Sequence, residues 1–219
     1  MPRALFEKTG NAVYISHLDL MRLFQRAFKR AGLLLTHTQG FSPRPSVSIA
    51  LPMSVGVQSH CELLDFELDG DAVSYEEIKE RLNETLVDGI RIREIYAGGA
   101  KTKDIGFLDC TAHLEYDAGV PHGAEEKLET LFAQPSLLVD KQSKKGITQQ
   151  DIVTMIRRIQ IVREDDNTLR LDARICCQEP ALNPAQMVAA IAKYLPELTP
   201  DFDRYCRHEI YNRNEEIFR

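Results

Sequence analysis

Apolar residues recur at three- and four-residue steps from Leu18 through Met21, Phe24, Ala27, Phe28 and Ala31, a stripe that predicts an amphipathic helix over 17–31 with this face buried. Ser16 reads as its N-cap, with Asp19 three residues on as the box partner. Gly32 fits the left-handed stop position. Residues 3–8 and 12–15 read as strand around a Gly10-Asn11 turn. Leu33–His37, Ser46–Leu51 and His60–Leu68 read as further strands. Ser74 caps a second helix, 75–86, and Ile90–Tyr96 alternates as a strand.

A second series follows. Phe107–Tyr116 is a strand, 125–132 a helix and Leu137–Lys141 a short strand, followed by a basic turn over Gln142–Gly146. Residues 151–163 are mostly strand, with room for a helical turn near 148–156. Leu169–Cys177 alternates, Asn183 caps a helix that runs to Tyr194, and Arg204–Tyr211 closes the chain as a strand. Each half thus reads strand, helix, two or more strands, helix, strand. The expected fold is α+β: two tandem ferredoxin-like units, antiparallel sheets with helices on one face. The expected boundaries are 1–97, a linker at 98–106, and 107–219.

Charge sharpens this picture. Residues 1–50 hold seven basic side chains against Glu7 and Asp19, a balance of +5; the chain as a whole is −6, so the remainder carries −11. Arg22, Arg26 and Arg30 repeat every fourth residue on the first helix, with Lys29 beside them. The loop that follows, Thr36–Pro45, contributes His37, Gln39, Phe41, Ser42 and Arg44. Guanidinium forks suit phosphate oxygens. Arg22, Arg26, Lys29, Arg30 and Arg44 are therefore the expected phosphate ligands, with Gln39 and Ser42 as hydrogen-bond donors. Phe41 is open to two roles, stacking on a base or filling the core. An acidic chain with one basic patch points to a local anionic ligand, RNA or another phosphate-bearing molecule.

Other chemistry is thinner. His37 is the candidate general base for an RNA 2′-hydroxyl, and His17 reads as a capping or packing histidine. Glu62, Asp65 and Glu67 read as the wet face of a strand. The five cysteines, at 61, 110, 176, 177 and 206, form no C-x-x-C, so no metal site and no cofactor of its own is expected. No P-loop, G-x-G-x-x-G or H-E-x-x-H is present. No apolar run approaches the roughly 18–20 residues of a membrane helix. The start does not read as a signal peptide, and a cytoplasmic address is expected.

Tyr14-Ile-Ser-His-Leu-Asp-Leu-Met-Arg22, Phe24–Gly32, Gln39-Gly-Phe-Ser-Pro-Arg-Pro45 and Pro52-Met-Ser-Val-Gly-Val57, with Glu62 and Asp65, resemble the radical SAM-linked protein family, a bacterial domain of unknown function. The resemblance runs from about residue 2 past residue 160. It implies a partner encoded beside or fused to the domain, a radical SAM protein carrying S-adenosylmethionine, an iron–sulfur cluster and cobalamin. The chain itself then reads as an accessory, substrate-recognition module, more a non-catalytic partner than an enzyme. The N-terminal layout also looks like that of CRISPR RNA-processing endoribonucleases, which implies a metal-independent ribonuclease using His37. The Gly-rich C-terminal loop of those enzymes is missing around 181–186. A protein-docking module without an anionic ligand is the third alternative.

Overall fold

The structure is a computed structural model that describes residues 1–70, 72–143 and 146–219. It divides into two compact units, Met1–Thr102 with Arg219, and Lys103–Phe218. Both are mixed α/β, with four helices in all among the described residues and antiparallel pairing of the strands within each unit. None of those helices is long and apolar enough to cross a membrane.

In the first unit the strands are β1 (Pro2–Lys8), β2 (Val47–Ile49), β3 (Gln58–Phe66) and β4 (Ile90–Ala97), and the helices are α1 (His17–Arg30) and α2 (Tyr75–Asn83). β1 lies between β4 and β3, and β2 adds to β3, so the spatial order is β4-β1-β3-β2. Phe6, Ala4, Leu64 and Phe66 on the sheet pack with Phe24, Ala27 and Phe28 of α1 and Ile78 and Leu82 of α2. Phe6 and Phe24 meet edge to face at 4.9 Å.

The helix α1 forms where its caps direct. Ser16 accepts from the Asp19 amide at 3.2 Å, and Gly32 takes φ +66°. The Leu33 amide reaches back to the Phe28 carbonyl and the Gly32 amide to that of Lys29, closing the helix in the Schellman manner. One expected core residue is displaced: Leu18 is 66% exposed and Leu20 is buried. At 100° per residue Leu20 falls within about 40° of Phe24 and Leu18 about 120° away, so the sheet selects Leu20. His17 falls near the buried stripe, and its Nδ1 is buried without a hydrogen-bond partner among the described residues.

Two local expectations are corrected. Residues 10–14 form a 3-10 turn, not a strand. Leu35 and His37 make only isolated bridges, to Leu68 and Pro45.

The second unit contains β5 (Ile105–Glu115), α3 (Ala124–Phe132), β6 (Leu138–Ser143), β7 (Gly146–Asp151), β8 (Ile156–Arg163), β9 (Thr168–Cys176), α4 (Ala185–Tyr194) and β10 (Phe202–Asn212). Its main sheet runs β10-β5-β9-β8. β6 and β7 make a separate hairpin between α3 and β8. Within the expected basic turn at Gln142–Gly146, Lys144 and Lys145 lie outside the described residues. The stretch expected as linker carries a 3-10 turn at Thr102–Asp104 and the first residues of β5. Leu108, Cys110, Ala112 and Leu114 of β5 and Leu169, Leu171, Ala173 and Ile175 of β9 are buried. Alternation sends Asp109, Thr111 and His113 to the other face, across from Arg174, Asp172 and Arg170.

Candidate functional site

Arg22, Arg26 and Arg30 line one groove of about 470 Å³, together with Ile15, Asp19, Leu23 and Val87. The four-residue spacing places the three guanidinium-bearing positions on a shallow spiral, each step advancing about 6 Å along the helix axis. Val87 comes from the turn before β4. Ile15, Leu23 and Val87 give the lining apolar surface and the three arginines give it positive charge.

The three arginines differ in how they are held. Arg22 donates to Asp19 at 3.0 Å, and Asp19 accepts a second bond from the Ser16 hydroxyl at 2.7 Å. The Ser16 bond, then Arg22, hold the Asp19 carboxyl below its ordinary value. Arg30 donates to the Thr85 carbonyl at 2.6 Å. Arg26 makes no hydrogen bond among the described residues; Asp19 reaches it only through its charge. Lys29 is exposed but is not part of the groove lining.

The loop after α1 forms a separate projection. The Thr38 amide donates to the Arg44 carbonyl at 2.8 Å, and the Arg44 amide to the Thr38 hydroxyl at 3.1 Å, which closes a narrow tip. His37, Gln39, Ser42 and Arg44 are exposed there, and Phe41 is fully exposed, so it has no core role. None of these five residues lines the arginine groove. The His37 imidazole makes no hydrogen bond or ion pair among the described residues. Nothing there orients it as a base in the way a nucleophile–base–orienter arrangement requires.

Of the three acids expected on a wet face, only Glu67, just past β3, is exposed. Glu62 is buried opposite Phe6 on the helix-covered side of the sheet. Asp65 is bound to the buried Arg3 at 2.6 Å, and Glu67 accepts from the Thr36 hydroxyl at 3.0 Å. Burial of the strand against α1, not alternation in the letters, decides which of these acids meets water.

Sequence reasoning passed over the polar face of the second sheet. Asp109 accepts from Arg174, Arg158 and Tyr211 at 2.8–3.0 Å. Burial alone would raise its pKa, but the Arg174 and Tyr211 hydrogen bonds outweigh that and hold it low. Beside it Thr111 bridges Asp172 and His208. The period-two run Arg170, Asp172, Arg174 in β9 is the signal that marks this face.

Residues 2–184 match the model of a family described as an uncharacterized protein conserved in bacteria, DUF2344. The chain belongs to the DUF2344 family. The match takes in the whole arginine groove and most of the second unit of this DUF2344 protein. No curated protein matches it. Among solved structures, an unknown protein from Galdieria sulphuraria is similar at 11% identity and a TM-score of 0.27, over 94% of this chain and 95% of that one. A likeness that distant has no bearing on function.

Proposed function

We propose that the groove along α1 binds consecutive phosphates of RNA, or of another phosphate-bearing ligand, and that the chain is the substrate-recognition module of a radical SAM enzyme. The observation that carries the reading is the convergence of Arg22, Arg26 and Arg30 on one groove, with Arg26 making no hydrogen bond among the described residues. Guanidinium groups in a row with apolar side chains lining the same groove suit a ligand that alternates phosphates with less polar bodies. Arg44, Gln39 and Ser42 at the exposed loop tip, with Phe41 beside them, supply a second set of contacts to a longer strand.

The strand orders β4-β1-β3-β2 and β10-β5-β9-β8 support two tandem ferredoxin-like units, since the first and third strands of each main sheet, the β6–β7 hairpin aside, are central. The radical chemistry belongs in this reading to a cytoplasmic partner carrying S-adenosylmethionine, an iron–sulfur cluster and cobalamin. The family resemblance of residues 14–57 is what supports that partner. Binding of labelled tRNA or rRNA fragments at two salt concentrations tests the first half of the reading. Salt-sensitive binding that Arg26→Glu abolishes is the expected result. Binding that ignores both salt and Arg26→Glu would refute it. Co-purification with the radical SAM protein tests the second half, and Arg26→Glu should leave that association unchanged.

A further inference from the structure

Cys206 lies opposite Thr111 of β5, and His208 follows at the register shift between Arg207 and Glu209, a bulge in β10. Cys206 Sγ lies 4.0 Å from His208 Nδ1. The other ring nitrogen, Nε2, is 2.7 Å from Thr111 Oγ1, which is itself 2.9 Å from Asp172 Oδ1. An ionised carboxylate only accepts, so the Thr111 hydroxyl donates to Asp172 and its oxygen accepts from His208 Nε2–H. Arg170 Nε, at 3.0 Å from Asp172 Oδ2, holds that carboxylate in place. The chain Asp172–Thr111–His208 thereby fixes the proton on Nε2 and turns the lone pair of Nδ1 toward the Cys206 sulfur.

An imidazole anchored at the rear through a hydroxyl to a carboxylate, with a thiol beside its front nitrogen, has the layout of a metal ligand. The distance agrees. Zinc bonds to histidine nitrogen at about 2.0–2.1 Å and to thiolate sulfur at about 2.3 Å, so one ion reaches both atoms across a 4.0 Å gap with only a small inward adjustment toward tetrahedral angles. His208 also borders a basin of about 530 Å³ on the polar face of the sheet, with Asp172, Asp109 and Gln160, whereas Cys206 is buried beside it.

We propose that Cys206 and His208 are two ligands of an exchangeable zinc ion in the second unit, with Thr111 and Asp172 as positioning residues behind the imidazole. The thiol now donates weakly to the Arg207 carbonyl at 3.6 Å. As the zinc–sulfur bond forms, that proton leaves to solvent and the sulfur binds as thiolate, while His208 Nδ1 binds through the lone pair it already holds. The remaining coordination positions take water or a donor atom of a bound ligand. This inference is independent of the arginine groove.

Cobalt(II) is the probe. The full chain, stripped with a chelator, is titrated with cobalt and followed by absorption, since a thiolate ligand adds a near-ultraviolet charge-transfer band. The band is expected to saturate at one ion per chain and to collapse when zinc is added. Cys206→Ser should remove it, and His208→Ala, at an exposed position, should weaken binding at least tenfold. Thr111→Val should cost about 10–100-fold in affinity with the band retained at saturation. A wild-type chain that gives no thiolate band, or a band that His208→Ala leaves unchanged, would overturn the assignment.

Discussion

Replacing Arg26 with glutamine removes one charge from the middle of the row and leaves a shorter, neutral side chain that can still hydrogen-bond. Three arginines that each neutralise one phosphate of a single strand give a slope of log K against log salt of about −0.7 per contact, hence about −2. A fourfold rise in salt then weakens binding about 16-fold. Arg26→Gln should reduce the slope by about 0.7. The same change removes a charge-assisted hydrogen bond of about 1.5–3 kcal/mol, which lowers affinity by one to two orders of magnitude. Arg22→Gln should do less, because Asp19 already offsets Arg22 at 3.0 Å. Fluorescence anisotropy with labelled single-stranded RNA, across 50–200 mM salt, is about the range in which such slopes are resolved. Arg26 is exposed, so the variant should fold as the parent does, within about 0.5 kcal/mol. A wild-type slope near zero, or equal slopes for wild type and Arg26→Gln, would refute the reasoning.

Further outcomes follow from the core and the caps. Phe24→Ala empties a fully buried site against Phe6 and should cost about 3–5 kcal/mol in urea unfolding of the first unit. Gly32→Ala places a Cβ at φ +66° and 2.9 Å from Arg81 Nη2, and should cost at least ~1 kcal/mol in the same assay. Glu125 is held at a pKa of about 2, chiefly by its hydrogen bond from Arg163. Its folded value lies below the ordinary 4.5, so its contribution is complete above that value and is lost as pH falls toward about 2. Glu125→Gln should therefore flatten the acid limb of stability against pH, by a small amount because the pair is largely exposed, and an unchanged acid limb would refute the assignment.

Much of α1 was legible because each signal for it is local. Ser16, Asp19 and Gly32 fix its ends, and three- and four-residue steps fix its inner face. Leu18 misled because it and Leu20 flank Asp19 and periodicity alone admits either; the sheet beneath makes the choice. The arginine row could be read from its spacing, but its groove could not. Val87 and Thr85, which close and brace it, lie more than fifty residues from Arg30 in sequence. The strand β7 escaped because Ile147-Thr-Gln-Gln150 carries no apolar alternation and pairs only with β6. Val13 and Tyr14 favour extended backbone in the letters, yet the Thr9 carbonyl accepts from the Ala12 amide and the Thr9 amide donates to Gly89, which folds that stretch into a turn. The pairing of Cys206 with His208 could not be read from the letters, because Thr111 and Asp172, which hold the imidazole, lie on other strands.

The bond from Arg30 to the Thr85 carbonyl takes one of the five N–H groups of that guanidinium and leaves four for a ligand. Folding has thus already removed rotamer freedom that would otherwise oppose capture, up to about 2 kcal/mol for a long cationic side chain. Arg26 has no such brace among the described residues. Under the proposed reading, a strand in the groove would meet held side chains at both ends, Arg22 on Asp19 and Arg30 on Thr85, and an adaptable contact at the centre.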